Sequence, residues 1–152
     1  MNLKKLYEFQ NKLDRQIQSR ADLQGKALVS HKILALQVKM GELASETQCF
    51  KFWLAKKSSL KRKVLEKYIE ALYLTLSIGI EKGFTKTEFP VKENECELTD
   101  QFLNLFIDTN DYMVCSSEDH YFTLIEDLLS LGLSLGFTEE DIVDTNSRVY
   151  TA

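Results

Sequence analysis

The residues of this chain best placed for shared chemistry are two charged pairs, Lys39-x-x-Glu42 and Lys67-x-x-Glu70. Residues at i and i+3 of a helix share a face, so each pair sets an ammonium beside a carboxylate. Such faces usually stay in water as the solvated side of an amphipathic helix. Brought together, two of them can instead close into an ion-paired network. Glu46 and Glu66 add further acids, although Glu66 sits about 100° around its helix from position 67. The lysines between Lys56 and Lys67 read as a solvated helix start before they read as a phosphate-binding patch. His31 and His120 have no serine, cysteine or second histidine at a telling spacing, and there is no glycine-rich phosphate loop. Cys49, Cys96 and Cys115 lack a metal-ligand spacing and read as reduced thiols of a cytoplasmic protein.

The elements that position these groups are helices. Apolar residues recur at helical spacing along nearly the whole chain, strand-like alternation is absent, and Pro90 is the only proline. Leu3, Leu6, Leu13 and Ile17 make one stripe, predicting a first helix over roughly residues 2–19. A polar stretch around Gln24 to Ser30 precedes a second helix over about 31–50, marked by Ile33, Leu36, Met40, Leu43 and Thr47. A third is expected from Ser58 or Ser59, either of which could cap it, to Lys82, with Gly83 as its left-handed terminator. After a linker to about Glu97, helices are expected near 98–114 and 118–135, and a short one from Glu139. The segment Leu76-Ser77-Ile78-Gly79-Ile80, running on to Gly83-Phe84-Thr85, is echoed by Leu129-Ser130-Leu131-Gly132-Leu133, running on to Gly136-Phe137-Thr138. In each copy the mid-helix glycine would admit a neighbouring helix closely. The fold class is therefore all-α, most simply a helical bundle.

Composition agrees with one domain over residues 1–152. Hydrophobic residues make up 44% and charged ones 28%, ordinary values for a globular protein. A formal net charge of −4 argues against a nucleic-acid partner, whose binding face would be basic. No apolar run is long enough to span a membrane, and the amphipathic start does not read as a signal peptide.

The segment from Ile33 to Glu46, followed by Cys49-Phe50-Lys51-Phe52-Trp53, resembles the signature of the dimeric all-α dUTPases, relatives of the nucleoside-triphosphate pyrophosphatases. So do the helix from Leu65 to Gly79, the opening with Gln10 and Asp14, and the run from Tyr121 to Thr138. The resemblance implies a homodimer, a deoxyuridine nucleotide as ligand and Mg²⁺ as cofactor. Hard cations would be held through oxygen by E-x-x-E and E-x-x-D motifs on two helices. They would activate water to release dUMP and pyrophosphate. It makes Glu42, Glu46 and Glu70 the catalytic carboxylates, with Glu42 and Glu70 as metal ligands. It makes Gln10, Asp14, Lys51 and Trp53 substrate-binding: the Gln10 amide would meet uracil, and the Trp53 indole could stack on it.

Against that pattern, Lys39 and Lys67 occupy the two other ligand positions, Glu70 stands for an aspartate, and Tyr73 stands for a histidine. An ammonium there is a cation where a cation should bind. Two unit charges about 4 Å apart interact by roughly 4 kcal/mol at an effective dielectric near 20. The expectation is that Lys39 pairs with Glu42 and Glu70, that Lys67 does the same, and that Mg²⁺-dependent hydrolysis is lost or reduced. Two alternatives stand beside it: an active pyrophosphatase with a site shifted onto Glu42, Glu46, Glu66 and Glu70, or a non-catalytic dimeric helical interaction module. The C-terminal run offers only Asn146 and Arg148 in place of the family's phosphate-closing tail.

Overall fold

The computed structural model describes residues 1–149, and side chains as far as residue 145. Six α-helices run in order: α1 Lys4–Gln18, α2 Val29–Thr47, α3 Lys61–Lys82, α4 Leu98–Val114, α5 Glu118–Ser134 and α6 Glu139–Val149. The all-α expectation holds. The one strand-like feature among the described residues is an isolated antiparallel bridge, Asn2 to Glu88, by which the chain start pairs with the linker after α3.

Helix α3 is the axis of the fold. From Tyr68 to Gly79 it buries side chains on nearly every face, Leu74 and Glu70 being partial exceptions, the pattern of a helix enclosed by neighbours. α1, α2, α5 and α6 pack around it, and α4 lies along α5 and touches α2. α2 faces the core with Ile33, Leu36, Met40 and Leu43, the predicted stripe. α1 departs from its pattern. Leu6, Tyr7 and Gln10 are buried, but Leu13 is half-buried and Ile17 is 51% exposed. Both line cavities beside α3 rather than core.

Two boundaries differ from the sequence reading. α2 ends at Thr47 instead of residue 50, because Gln48 turns left-handed (φ 58°) and its N–H donates back to Ala44 and Ser45. α3 begins at Lys61, and neither Ser58 nor Ser59 caps it. Leu60 holds the cap position without a side-chain bond. The Ser58 N–H donates to Gln48 Oε1 at 2.9 Å, tying that residue to the loop after α2. Gly83 does terminate α3 with φ 74°.

The echoed segments pack against each other. Tyr68 of α3 donates to Leu128 O of α5 at 3.0 Å, and Tyr121 of α5 donates to Thr75 O of α3 at 3.0 Å. Each phenol crosses over the other helix's glycine, and a Cβ on Gly79 or Gly132 would overlap it. The aromatic partners are reciprocal too: Tyr68 meets Phe137 and Tyr121 meets Phe84. Gly132→Ala or Gly79→Ala should therefore cost about 1–3 kcal/mol by overpacking. Urea unfolding checks this; a variant as stable as the parent would remove the close approach. No helix among the described residues is long and apolar enough to cross a membrane, and the three cysteines are free thiols.

Candidate nucleotide site

Packing α2 along α3 brings the two charged pairs together. Lys39 Nζ lies 3.1 Å from Glu42 Oε2 and 3.0 Å from Glu70 Oε2. Lys67 Nζ lies 3.2 Å from Glu42 Oε2 and 3.5 Å from Glu70 Oε2. All four expected pairings are present, and each carboxylate oxygen bridges two ammoniums. The result is a closed ring of alternating charge, neutral in sum. The close ion pair of Lys39 with Glu70, and then its hydrogen bond to Glu42, raise its pKa above the usual lysine range. Hydrogen bonding from Lys39 and then Lys67 holds Glu42 below the usual carboxylate range.

The other acids stand outside the ring. Glu46 is half-buried one turn beyond Glu42, and Glu66 is engaged by Arg62 Nε at 3.0 Å. Among the described residues no three of His, Cys, Asp and Glu are grouped so as to hold a metal ion. The donor set at the ring is two carboxylates already engaged by two ammoniums.

Gln10 connects to this ring through space. A cavity of about 270 Å³ is lined by Gln10, Leu13, Gln16, Ile17, Glu70, Tyr73 and Leu74, so its wall runs from the Gln10 amide to the ring. A second, of about 190 Å³, is also lined by Gln10 and includes Asp14, Leu28, Lys32 and Ser77. Gln10 Nε2 donates to Asp14 Oδ1 at 2.8 Å, and Ser77 Oγ lies 3.0 and 2.9 Å from the two Asp14 oxygens. Lys32 pairs with Glu81 at 3.3 Å, both side chains largely buried. Glu81 also accepts from the Leu28 N–H at 3.1 Å, fixing the start of α2 against α3.

Gln10 and Glu70 thus share one cavity and Gln10 and Asp14 another, while Glu42 joins Glu70 through the two lysines. Lys51 and Trp53 lie on the loop after α2. Trp53 is 61% exposed and stacks edge-on with Phe52, centroids 5.2 Å apart, and with Phe50 at 6.2 Å. The side chains of Asn146 and Arg148 lie outside those described. Sequence reasoning missed Ser77, Lys32 and Glu81. Ser77 lies inside the echoed motif, where the sequence pattern reports packing, and nothing in its spacing from Asp14 joins the two.

A comparison with curated proteins finds no match. A family model described as dUTPase matches residues 2–151, a span that takes in all six helices and every candidate residue above. On that match over nearly its whole length, with the all-α architecture it requires, the chain belongs to the dUTPase family.

Proposed function

We propose that this protein is a dUTPase-fold nucleotide binder in which Lys39 and Lys67 stand in for divalent cations, with Mg²⁺-dependent hydrolysis lost or strongly reduced. The observation that carries the reading is the closed ring of Lys39, Glu42, Lys67 and Glu70. The family uses Mg²⁺, and the residues here do not fit it. An incoming dication would have to displace two ammoniums already 3.0–3.5 Å from the carboxylates it needs. The same ammoniums can serve as point charges for a phosphate chain, at the end of the cavity that begins at Gln10. A deoxyuridine nucleotide would lie with its base toward Gln10 and its phosphates toward the ring. A site shifted onto Glu66 is disfavoured by that residue's pairing with Arg62.

Calorimetry is the direct test. The expected result is dUTP binding in metal-free buffer and no stoichiometric Mg²⁺ or Mn²⁺ binding to the unmodified chain. Robust pyrophosphate release from dUTP with Mg²⁺ would overturn the loss of hydrolysis.

The family's homodimer has a candidate face. Leu34 and Val38 on α2 stand exposed beside Leu103 and Ile107 on α4, and Gln37 Nε2 donates to Asn110 Oδ1 at 3.1 Å between the two helices. Contiguous exposed apolar side chains of this kind mark association surfaces. Val38→Glu with Ile107→Glu should leave a monomer by light scattering; an unchanged dimer would place the interface elsewhere.

A further inference from the structure

The loop between α2 and α3 holds an apolar cluster out in water. Phe52 is 88% exposed and Leu60 64%, with Phe50 and Trp53 exposed beside them. The loop is ordered by its own backbone. The N–H groups of Lys51, Phe52 and Leu54 donate to Gln48 O, Phe50 O and Lys51 O at 3.0, 2.8 and 3.1 Å, and the Gln48 side chain ties the turn to Ser58. Lys51 and Trp53, which the resemblance gives to the substrate, line neither cavity beside Gln10. Large apolar side chains left in water are unfavourable until something covers them.

Around this cluster the charge is of one sign. From Gln48 to Lys63 the chain has six basic residues, Lys51, Lys56, Lys57, Lys61, Arg62 and Lys63, and no acid, although its formal net charge is −4. Three of the six fill the first turn of α3, which holds no acidic residue. Cations at a helix N-terminus oppose its dipole. Glu66 meets Arg62 at 3.0 Å and the Asp141 charge lies near Lys61, while Lys56 and Lys57 stand exposed on the loop. An anionic surface would offset both the dipole and the mutual repulsion.

We propose that the α2–α3 loop is a peripheral docking site for an anionic lipid membrane. Phe52, Trp53 and Leu60 enter the interface, and the surrounding lysines meet the headgroups. Aromatic rings favour that depth, and an apolar insert combined with a basic patch supplies the two signals that stable anchoring takes. A bilayer also receives a projecting knob without a matching pocket. A single-stranded nucleic acid uses aromatic and basic contacts too, but its bases need open ring faces. Here Phe52 and Phe50 stand edge-on to Trp53, with interplanar angles of 83° and 70°, which makes one knob rather than a row of stacking platforms. This docking is independent of the nucleotide reading.

Trp53 is the only tryptophan, so its emission reports on this loop in the full chain. Vesicles of equal parts phosphatidylcholine and phosphatidylserine should cosediment the protein and shift that emission to the blue. Vesicles of phosphatidylcholine alone should do neither, and added salt should release the bound protein. Lys56→Ala with Lys57→Ala should weaken binding about 25-fold, each lysine near the surface being worth roughly fivefold. Phe52→Ser should weaken it about tenfold. All three side chains are exposed, so both variants should keep the parent's circular dichroism and melting temperature. No cosedimentation, equal binding to the two kinds of vesicle, or undiminished binding in both variants overturns the proposal. A single-stranded oligonucleotide that quenches Trp53 while anionic vesicles leave its emission unchanged overturns it as well, and makes the loop a nucleic-acid site.

Discussion

Lys39→Glu combined with Lys67→Glu should create an Mg²⁺ site at least about 100-fold tighter than anything in the parent chain. The ring already supplies the scaffold: two carboxylates on α2 and α3, each at contact distance from both lysine ammoniums. Reversing both lysines turns four attractive contacts into a cluster of four carboxylates, and that cluster has nothing to neutralise it. Without metal the double variant should be less stable by about 1–3 kcal/mol, a figure kept small because the side chains are about a third exposed and screened. Added Mg²⁺ at about 100 times its dissociation constant should return about 2.7 kcal/mol. The signature is a melting temperature that rises with Mg²⁺ in the double variant and not in the parent. Lys39→Met with Lys67→Met removes the positive charges without adding negative ones and should fall between. Equal Mg²⁺ responses in parent and double variant would show that the ring does not stand where the family's metal ligands do. On the proposed reading, pyrophosphate release from dUTP is expected to rise in the double variant alone, because the family's hydrolysis uses Mg²⁺ and only the reversed ring would admit it.

How much of this was legible in the sequence follows from the range of each interaction. The core face of α2 could be read because Ile33, Leu36, Met40 and Leu43 repeat at the helical period, and local periodicity carries that information. The ring could be anticipated because each half is an i, i+3 pair and the resemblance to the dUTPases sets those two motifs on facing helices; spacing alone would have left each as a solvated face. The end of α2 could not: Gln48 adopts a left-handed conformation without the glycine that usually announces one. The missing serine cap of α3 was equally hidden: the helix starts at Lys61 with Leu60 at the cap, and Ser58 is tied to Gln48, ten residues earlier. The Ser77–Asp14–Gln10 chain was invisible because it joins α1 to α3 across the fold. Ser77 carries the same motif context as Ser130, which hydrogen-bonds Lys92 O instead. Closely similar local sequence therefore gave two different partners, and only the packing decides between them.

A contact of this non-local kind on α4 and α5 sets the second large effect. Asp108 has its pKa pushed up to about 8, by burial first, then by a hydrogen bond with Asp127, the Asp127 charge and the charge of Asp111. The folded-state value lies above the ordinary 3.8, so the folded chain holds this proton more tightly than the unfolded chain does. The stability it contributes is complete below about pH 4, falls as pH rises between about 4 and 8, and is gone above that window. Asp108 is only half-buried, so solvent screening reduces the gain to about 1–2 kcal/mol. Asp108→Asn mimics the protonated form: it keeps a donor for Asp127 and cannot ionise. Near pH 8.5 it should therefore be more stable than the parent by about that amount, and near pH 4 the two should be equal. Asp127→Asn should move the window down by removing the charge that opposes ionisation. Urea unfolding from pH 4 to 9, with the Asp108 carboxyl followed by carbon-13 chemical shift, measures both. An Asp108 that titrates near 4 would mean the two carboxyls do not share a proton. The stabilising effect of Asp108→Asn would then vanish with it.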